Sequence, residues 1–384
     1  MRSQTQRDLT PGDVADMIGD RLGPGARVAG AQEIGGGGFA AVWRVTLDDG
    51  RAVVLKATPP PKAALLSYEN GLLAAEAAYF ERTARDAPDL PVPRVLHYED
   101  GADAGDGDEG WMVMTLLPGT PLSALGRTLP ADDEQSVRRA LGRTLARLHT
   151  LTGPHFGYTG PGRRRGASWR AVYLGIIDDL LADADRLGSE LPLPAAEIRR
   201  IIGAAAPVLG EVRQPVMVHF DLWDGNVLVT TADDGGDGND NGGDGGGRAR
   251  LTGLVDAERW LYADPLVDFV STDLFGALEH APGHPFVRGY AEAGGPATGP
   301  GFDGGTGFDR SRATRIKLYR AWLYLVMAVE VPTRAFDGDD HAEARRDRVR
   351  RLAEALADLP GAPDPPDPDQ PGLAEPGDHG DVAG

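Results

Sequence analysis

"VHFDLWDGNVLV", residues 218–229, places His219, Asp221, Asp224 and Asn226 in a polar turn just ahead of a run of strand-forming residues. The stretch reads either as a turn leading into a strand or as a loop that carries chemistry, and its surroundings decide between the two. "NVLVT" (226–230) and "ARLTGLVD" (249–256) are two β-like segments, the second ending in Asp256, and together they form an expected hairpin. From Asp221 to Asp256 the chain is too long for a compact hairpin unless 231–247 is an insertion at its tip. The pattern is then H-x-D-x-x-x-x-N followed by an Asp-bearing strand. Phosphoryl transfer needs a carboxylate to orient and accept the proton of an attacking hydroxyl, and oxygen ligands for the Mg²⁺ that bridges nucleotide phosphates. Asp221 can supply the first, and Asn226 with Asp256 the second.

Upstream, "EIGGGGFAAVWRV" (33–45) carries Gly35, Gly37, Phe39 and Val42 at the spacing G-x-G-x-x-G-x-V, with Ala40 at the third glycine position. A loop of this kind lets backbone N–H groups approach phosphates without side-chain obstruction, although a Gly-rich hairpin has the same appearance. No Gly-Lys-Ser/Thr follows, so it is not a Walker loop. The β-like "AAVWRVTL" after it argues against a dinucleotide-binding fold, which requires a helix there. Lys56 ends the apolar strand "RAVVLKA" (51–57), where a buried ammonium requires an anionic partner. Residues 71–84 read as a helix with Leu72, Leu73, Ala77 and Phe80 on one face. Glu76 lies on that face and is the expected partner of Lys56, with Glu69 as the competitor.

Further along, Val137, Ala140, Leu141, Leu145 and Leu148 mark an amphipathic helix with Asp132 and Gln135 in capping-box spacing. Trp169 to Ala184 and residues 315–330 form two more apolar stripes. Strand-rich segments come early and helices late, which predicts a small α+β lobe followed by a helical lobe. The expected boundaries are 1–118 for the first lobe, 119–358 for the second and 359–384 for an acidic Pro/Gly-rich tail.

Composition sets outer limits. The chain has 384 residues, 53 of them Gly and 30 Pro, and no cysteine, which excludes disulfides and thiolate metal sites. The net charge of −19 argues against nucleic acid as a partner. Most of the excess acidity lies in 101–110, 231–250 and 361–384, so it decorates the folded body without pointing to a cationic substrate. The segments 101–110, 231–248, 292–308 and 359–384 lack the apolar residues to form a core. "GGDGND" (235–240) matches the start of a calcium-binding nonapeptide but lacks the tandem copies that such a site needs. "MRSQTQRDLTPGD" is too polar for a signal peptide, and "AWLYLVMAV" (321–329) is too short to span a bilayer. A cytoplasmic protein without a membrane partner is the expectation, and its oligomeric state is not legible.

The Gly-rich loop, Lys56, Glu76, "MTLLPGTPL" (114–122), "LARLHTL" (145–151), "HFDLWDGN" (219–226), "VDAE" (255–258) and "DPLVDF" (264–269) resemble, in this order, the aminoglycoside phosphotransferase/choline kinase-like family over roughly residues 28–340. The resemblance implies the α+β, protein kinase-like two-lobe fold, with a small antiparallel-sheet N-terminal lobe that holds one main helix and a larger, mainly helical C-terminal lobe. It implies Asp221 as catalytic base, Asn226 and Asp256 as Mg²⁺ ligands, and Lys56 on the nucleotide phosphates, paired with Glu76. Thr115, Leu116 and Leu117 become the hinge that meets the purine of ATP or GTP, and Asp268 a structural residue steadying the catalytic loop. Phe220 stands where protein kinases have the arginine of H-R-D, "DAE" where they have D-F-G, and no A-P-E follows. These departures favour a small hydroxylated acceptor, of unspecified type, over a protein. The alternative is a catalytically weak nucleotide-binding pseudokinase serving as an interaction module. His149 and His219 read as packed or orienting residues, and Asp224 as solvent-facing. "GRRRG" (162–166) reads as a solvated loop or an anion site, and Glu330 as lining an acceptor pocket or paired with Arg334.

Overall fold

A computed structural model describes residues 5–23, 25–35, 38–60, 62–101, 110–160, 162–231, 249–298, 307–334 and 339–362. The first helix, α1 (Pro11–Ile18), opens with a capping box in which Thr10 and Asp13 bond reciprocally, and with Pro at its first position. Then come β1 (Val28–Glu33), β2 (Ala41–Leu47), β3 (Ala52–Ala57), α2 (Leu72–Asp86), β4 (Val95–Glu99) and β5 (Trp111–Thr115). The five strands pair antiparallel in the order β1-β2-β3-β5-β4. Period-2 patterning gives this sheet two apolar faces. Trp43, Val45, Val53, Leu55 and Val113 pack under α1 on one side, and Val54, Met112 and Met114 join α2 and the main core on the other.

The second half runs through β6 (Thr120–Pro121), α3 (Leu122–Leu125), α4 (Ala131–Leu148), β7 (Phe156–Gly157), β8 (Arg165–Gly166), α5 (Trp169–Leu187) and α6 (Ala195–Ala205). It continues with β9 (Val216–Val218), β10 (Val227–Thr230), β11 (Arg250–Leu254), β12 (Leu261–Ala263), α7 (Val267–Thr272), α8 (Pro285–Glu292), α9 (Arg310–Val329), α10 (Val331–Arg334) and α11 (Asp339–Ala357). The C-terminal half of α9 is apolar all round and packs against α5, α7 and α11, so Tyr319, Trp322 and Leu325 are fully buried, while Arg310, Arg312, Arg315, Lys317 and Arg320 mark its first half. Helices α4 and α8 cross closely because each offers a glycine to the other. A Cβ on Gly142 would lie 2.1 Å from the Phe286 carbonyl oxygen, and one on Gly289 2.0 Å from that of Arg139.

The α+β expectation holds, with a sheet-bearing N-terminal part and a helical C-terminal part. Three local expectations fail. Helix α4 begins after Pro130, whose extended backbone occupies the cap, so Asp132 is already helical and cannot close a capping box with Gln135. In the stretch 292–308, Ala297 and Thr298 are buried in a 3₁₀ turn. Leu359, placed in the tail by the sequence reading, packs into the core. Gly37, the inserted loop from residue 232 to 248 and the tail beyond 362 lie outside the described residues.

Candidate active site

β3 and α2 bring the first pair of site residues together. Lys56 pairs across the sheet with Val42 of β2, and Glu76 projects from the buried face of α2. Lys56 Nζ lies 2.7 Å from Glu76 Oε2, 2.5 Å from Asp256 Oδ1 and 2.8 Å from Glu258 Oε2. Glu69 is not its partner; it is buried against Arg334 instead. Three carboxylates whose oxygens lie within 4.8 Å of one another therefore surround a single ammonium. Burial alone would lower the pKa of Lys56, but Asp256, Glu258 and Glu76 outweigh it and raise the pKa well above its ordinary value. One cation cannot fully compensate three acids. Burial pushes Glu76 up to about 7 against the opposing pull of Lys56, and pushes Glu258 up as well. Asp256, also penalised by burial, is nevertheless held low by Lys56.

The catalytic-loop candidate begins where β9 ends. Phe220 and Asp256 are the non-glycine residues with left-handed backbones among those described, at φ 65° and 64°. Such a conformation persists only when its surroundings fix it. For Phe220 they do. Its ring stacks on Trp322 at 4.1 Å, and its N–H donates to Asp268 Oδ1 at 2.7 Å. The His219 N–H donates to Asp268 Oδ2 at 2.9 Å. His149 Nε2 donates to the same oxygen at 3.0 Å, while its Nδ1 accepts from the Tyr290 hydroxyl at 2.7 Å. His149 is thus a packed helix-end residue, and Asp268 anchors the loop backbone. His219 Nε2 donates to the Val255 carbonyl at 3.1 Å, which leaves Nδ1 to accept from Asp221 N–H, and burial favours this neutral form.

Asp221 emerges from this turn with its side chain 24% exposed and 4.0 Å from Arg259. Burial raises its carboxyl to about 7, and Arg259 only partly opposes the shift. Asn226 Nδ2 donates to the Asp221 carbonyl at 2.7 Å, which turns the amide oxygen outward from that bond. The hairpin register pairs Val227 with Leu254, and Val255 N–H donates to the Asn226 carbonyl at 3.0 Å, so Asn226, just ahead of β10, faces the residue before Asp256, just past β11. Asp256 is engaged by Lys56, not by Asn226. Amide and carboxylate oxygens are the donors that a hard divalent cation takes, and the Asp256 side chain is 39% exposed. These two residues fit Mg²⁺ on donor chemistry; Asp256 is partly open to solvent, whereas Asn226 is buried.

Above them, Ile34 N–H bonds to the Val42 carbonyl, closing the loop that holds Gly35. Phe39 is buried beneath the Arg334 guanidinium, 5.1 Å from its ring, and borders a cavity of about 350 Å³ that Lys56 and Glu258 also line. Thr115 ends β5 and exchanges two 2.9 Å bonds with the Arg94 backbone. Leu116 packs on the core, and Leu117 leans on Gly253 of β11. Thr252 of the same strand bonds the Pro118 carbonyl at 2.7 Å, tying the segment after β5 to the hairpin that ends at Asp256.

Three features escaped the sequence reading. Glu258 completes the cluster around Lys56. Arg259 reaches Glu330 at 3.0 Å and lies beside Asp221, so Glu330 is shared between Arg259 and Arg334 instead of belonging to Arg334 alone. Asp224 does not face solvent freely, because Arg138 of α4 grips both its carboxylate oxygens.

A five-stranded sheet bearing a Lys–Glu pair, joined to a helical part with an Asp-anchored H-x-D turn and an Asp-bearing hairpin, defines the protein kinase-like fold. The chain belongs to the phosphotransferase enzyme family, whose model matches residues 30–308. No curated protein matches the sequence closely enough to count as a relative. Among solved structures, the putative fructosamine-3-kinase from Thermobifida fusca YX-ER1 is similar at a TM-score of 0.57 and 22% identity, over 89% of this chain and 98% of that one. Apo aminoglycoside phosphotransferase APH(4)-Ia, as a thermostable mutant, is similar at 0.56 and 16%, over 90% and 98%. Its ternary complex with AMP-PNP and hygromycin B is similar at 0.54 and 15%, over 89% and 97%. At these identities the likenesses carry the fold.

Proposed function

We propose that this protein transfers the γ-phosphate of ATP, with GTP as a possible substitute, to a hydroxyl of a small molecule in a Mg²⁺-dependent reaction. One observation carries the reading: Lys56, Glu76 and Asp256, far apart in sequence, meet in one ion cluster, and the charges of Asp256 and Glu258 reach the Asp221 carboxyl. The nucleotide held by the APH(4)-Ia complex supports it by analogy of fold. In this reading residues 1–118 cover the nucleotide, with Gly35, Gly37, Phe39 and Val42 over its phosphates and Thr115–Leu117 against its base, and residues 119–358 present the acceptor.

The metal, held by Asn226 and Asp256, would supply charge neutralisation between the phosphates. Lys56 would hold a phosphate oxygen, with Glu76 and Glu258 keeping its ammonium in place. Asp221 accepts a hydrogen bond from the acceptor hydroxyl and then its proton, and Asp268 holds the turn that aims it. Catalysis rests on positioning and on fixed charge. The test is direct detection of a phosphorylated product from γ-labelled ATP across a panel of hydroxylated small molecules. ATP binding with no product from any of them would favour the interaction-module alternative.

A further inference from the structure

Beside the cleft, the chain between β3 and α2 crosses to the helical part and is fastened there. Ser67 donates to both oxygens of Asp183 on α5, through its N–H and its hydroxyl, each at 2.7 Å, and Arg186 donates to the Leu65 carbonyl at 2.8 Å. Next to this strap lies a cavity of about 370 Å³, within the range of small-molecule sites. Its walls include Tyr68 from the strap, Tyr158 and Arg163 from the turn between β7 and β8, and Ile176 and Leu180 from α5.

The charges on these walls do not balance. Asp179 is taken by Arg164 through two bonds, and Asp183 by Ser67 and Arg186. Arg163, by contrast, donates Nη2 to the Tyr68 carbonyl and lies 5.4 Å from the Tyr158 ring centre, and no carboxylate among the described residues pairs with it. Its Nη1 is buried without a hydrogen-bond partner, and so is the Tyr68 hydroxyl. Desolvation lowers the Arg163 pKa, with no acid opposing it, only the two tyrosines. A buried guanidinium nitrogen without a partner, on a half-buried arginine at the cavity wall, calls for an acceptor oxygen, preferably an anionic one; the Tyr68 hydroxyl lies instead among Arg259, Glu69, Glu330 and Arg334.

We propose that this cavity is an anion subsite, in which Arg163 holds the carboxylate or phosphate of the acceptor through its unpartnered Nη1, so that the substrate is a hydroxylated acid and not a cationic amino sugar. The inference rests on the phosphotransfer reading above. Tyr68 links the subsite to the reacting end. Its ring stacks on Tyr158 with centres 5.9 Å apart and also carries the Arg259 guanidinium at 5.8 Å, and Arg259 lies 4.0 Å from Asp221. "GRRRG" (162–166) thus acquires one working arginine, while Arg164 serves an ion pair with Asp179.

The experiment measures binding by calorimetry and phosphate transfer from ATP for four acceptors of similar length: γ-hydroxybutyrate, glycerol phosphate, butanediol and aminobutanol. The two anions are expected to bind more tightly than the diol and the amino alcohol, and the better anion identifies carboxylate or phosphate as the recognised group. Arg163→Met should weaken anion binding and raise its KM by roughly 10- to 100-fold, the worth of a charge-assisted bond, with ATP affinity unchanged. Arg163→Lys should recover part of the loss, which separates lost charge from misfolding. Anion binding that Arg163→Met leaves within two-fold, or the absence of Arg163-dependent binding of either anion, overturns the inference whether or not phosphate is transferred. Transfer restricted to the diol or the amino alcohol overturns it while leaving the phosphotransfer reading intact. Anion binding that depends on Arg163 without any transfer supports the subsite and counts against that reading.

Discussion

Replacing Asp221 by Asn is expected to stabilise the ligand-free fold while destroying its activity. The Asp221 carboxyl is held at about 7 in the folded protein, chiefly by burial, against 3.8 when unfolded. Between those values the folded chain keeps a proton that the unfolded chain has released, so acid favours folding there and rising pH erodes stability. Above pH 7 the folded state carries the full cost of a buried charge that Arg259, at 4.0 Å, only partly offsets. The upper bound on that cost is roughly 4 kcal/mol. A side chain still 24% exposed recovers part of its hydration, so a measured gain of about 1–3 kcal/mol at pH 8 is expected for Asp221→Asn. The gain should shrink steadily towards zero as pH falls to about 4, where both side chains are neutral. Urea denaturation in EDTA at a series of pH values measures it. An Asn variant no more stable than wild type at pH 8, or an advantage that persists undiminished in acid, would refute the electrostatic account of this site.

Two other perturbations test the surroundings. Lys56→Met strands Glu76, Asp256 and Glu258 without their cation and should cost about 3–5 kcal/mol at pH 8, less at pH 5.5 where the carboxyls take up protons, with nucleotide binding lost in calorimetry. Gly142→Ala should lower stability by about 1–3 kcal/mol in urea denaturation, although alanine is the better helix former, because its Cβ would meet the Phe286 carbonyl oxygen at 2.1 Å.

What the sequence disclosed follows from how each residue acquires its partner. The Lys56–Glu76 pair was legible because a strand and a helix of plain periodicity fix both side chains on buried faces. The Asp221 turn was legible because its spacing is local, and the hairpin once the acidic insertion was set aside. Arg259 was not, and of the partners of Arg334 only Glu330, four residues before it, was; Glu330 lies 71 residues from Arg259 and Glu69 265 from Arg334, so only the tertiary fold brings them together. Asp224 was misread for the same reason, with its arginine 86 residues upstream. Glu258, quoted only as the last residue of "VDAE", has its partner Lys56 on a distant strand, and only the fold joins them. The capping box was a different error: Asp132 and Gln135 match the pattern, but Pro130 ends the extended segment earlier. The matching signal at Thr10 and Asp13, which does cap a helix, passed unread.

The central claim is that Asp221 accepts the proton of an acceptor hydroxyl in phosphoryl transfer. The most direct measurement is single-turnover transfer from γ-labelled ATP by wild type and Asp221→Ala, with the nucleotide dissociation constant taken on the same samples. Transfer should fall by roughly 10²–10⁴ or more while nucleotide affinity is kept. Transfer at the wild-type rate in Asp221→Ala would contradict the account.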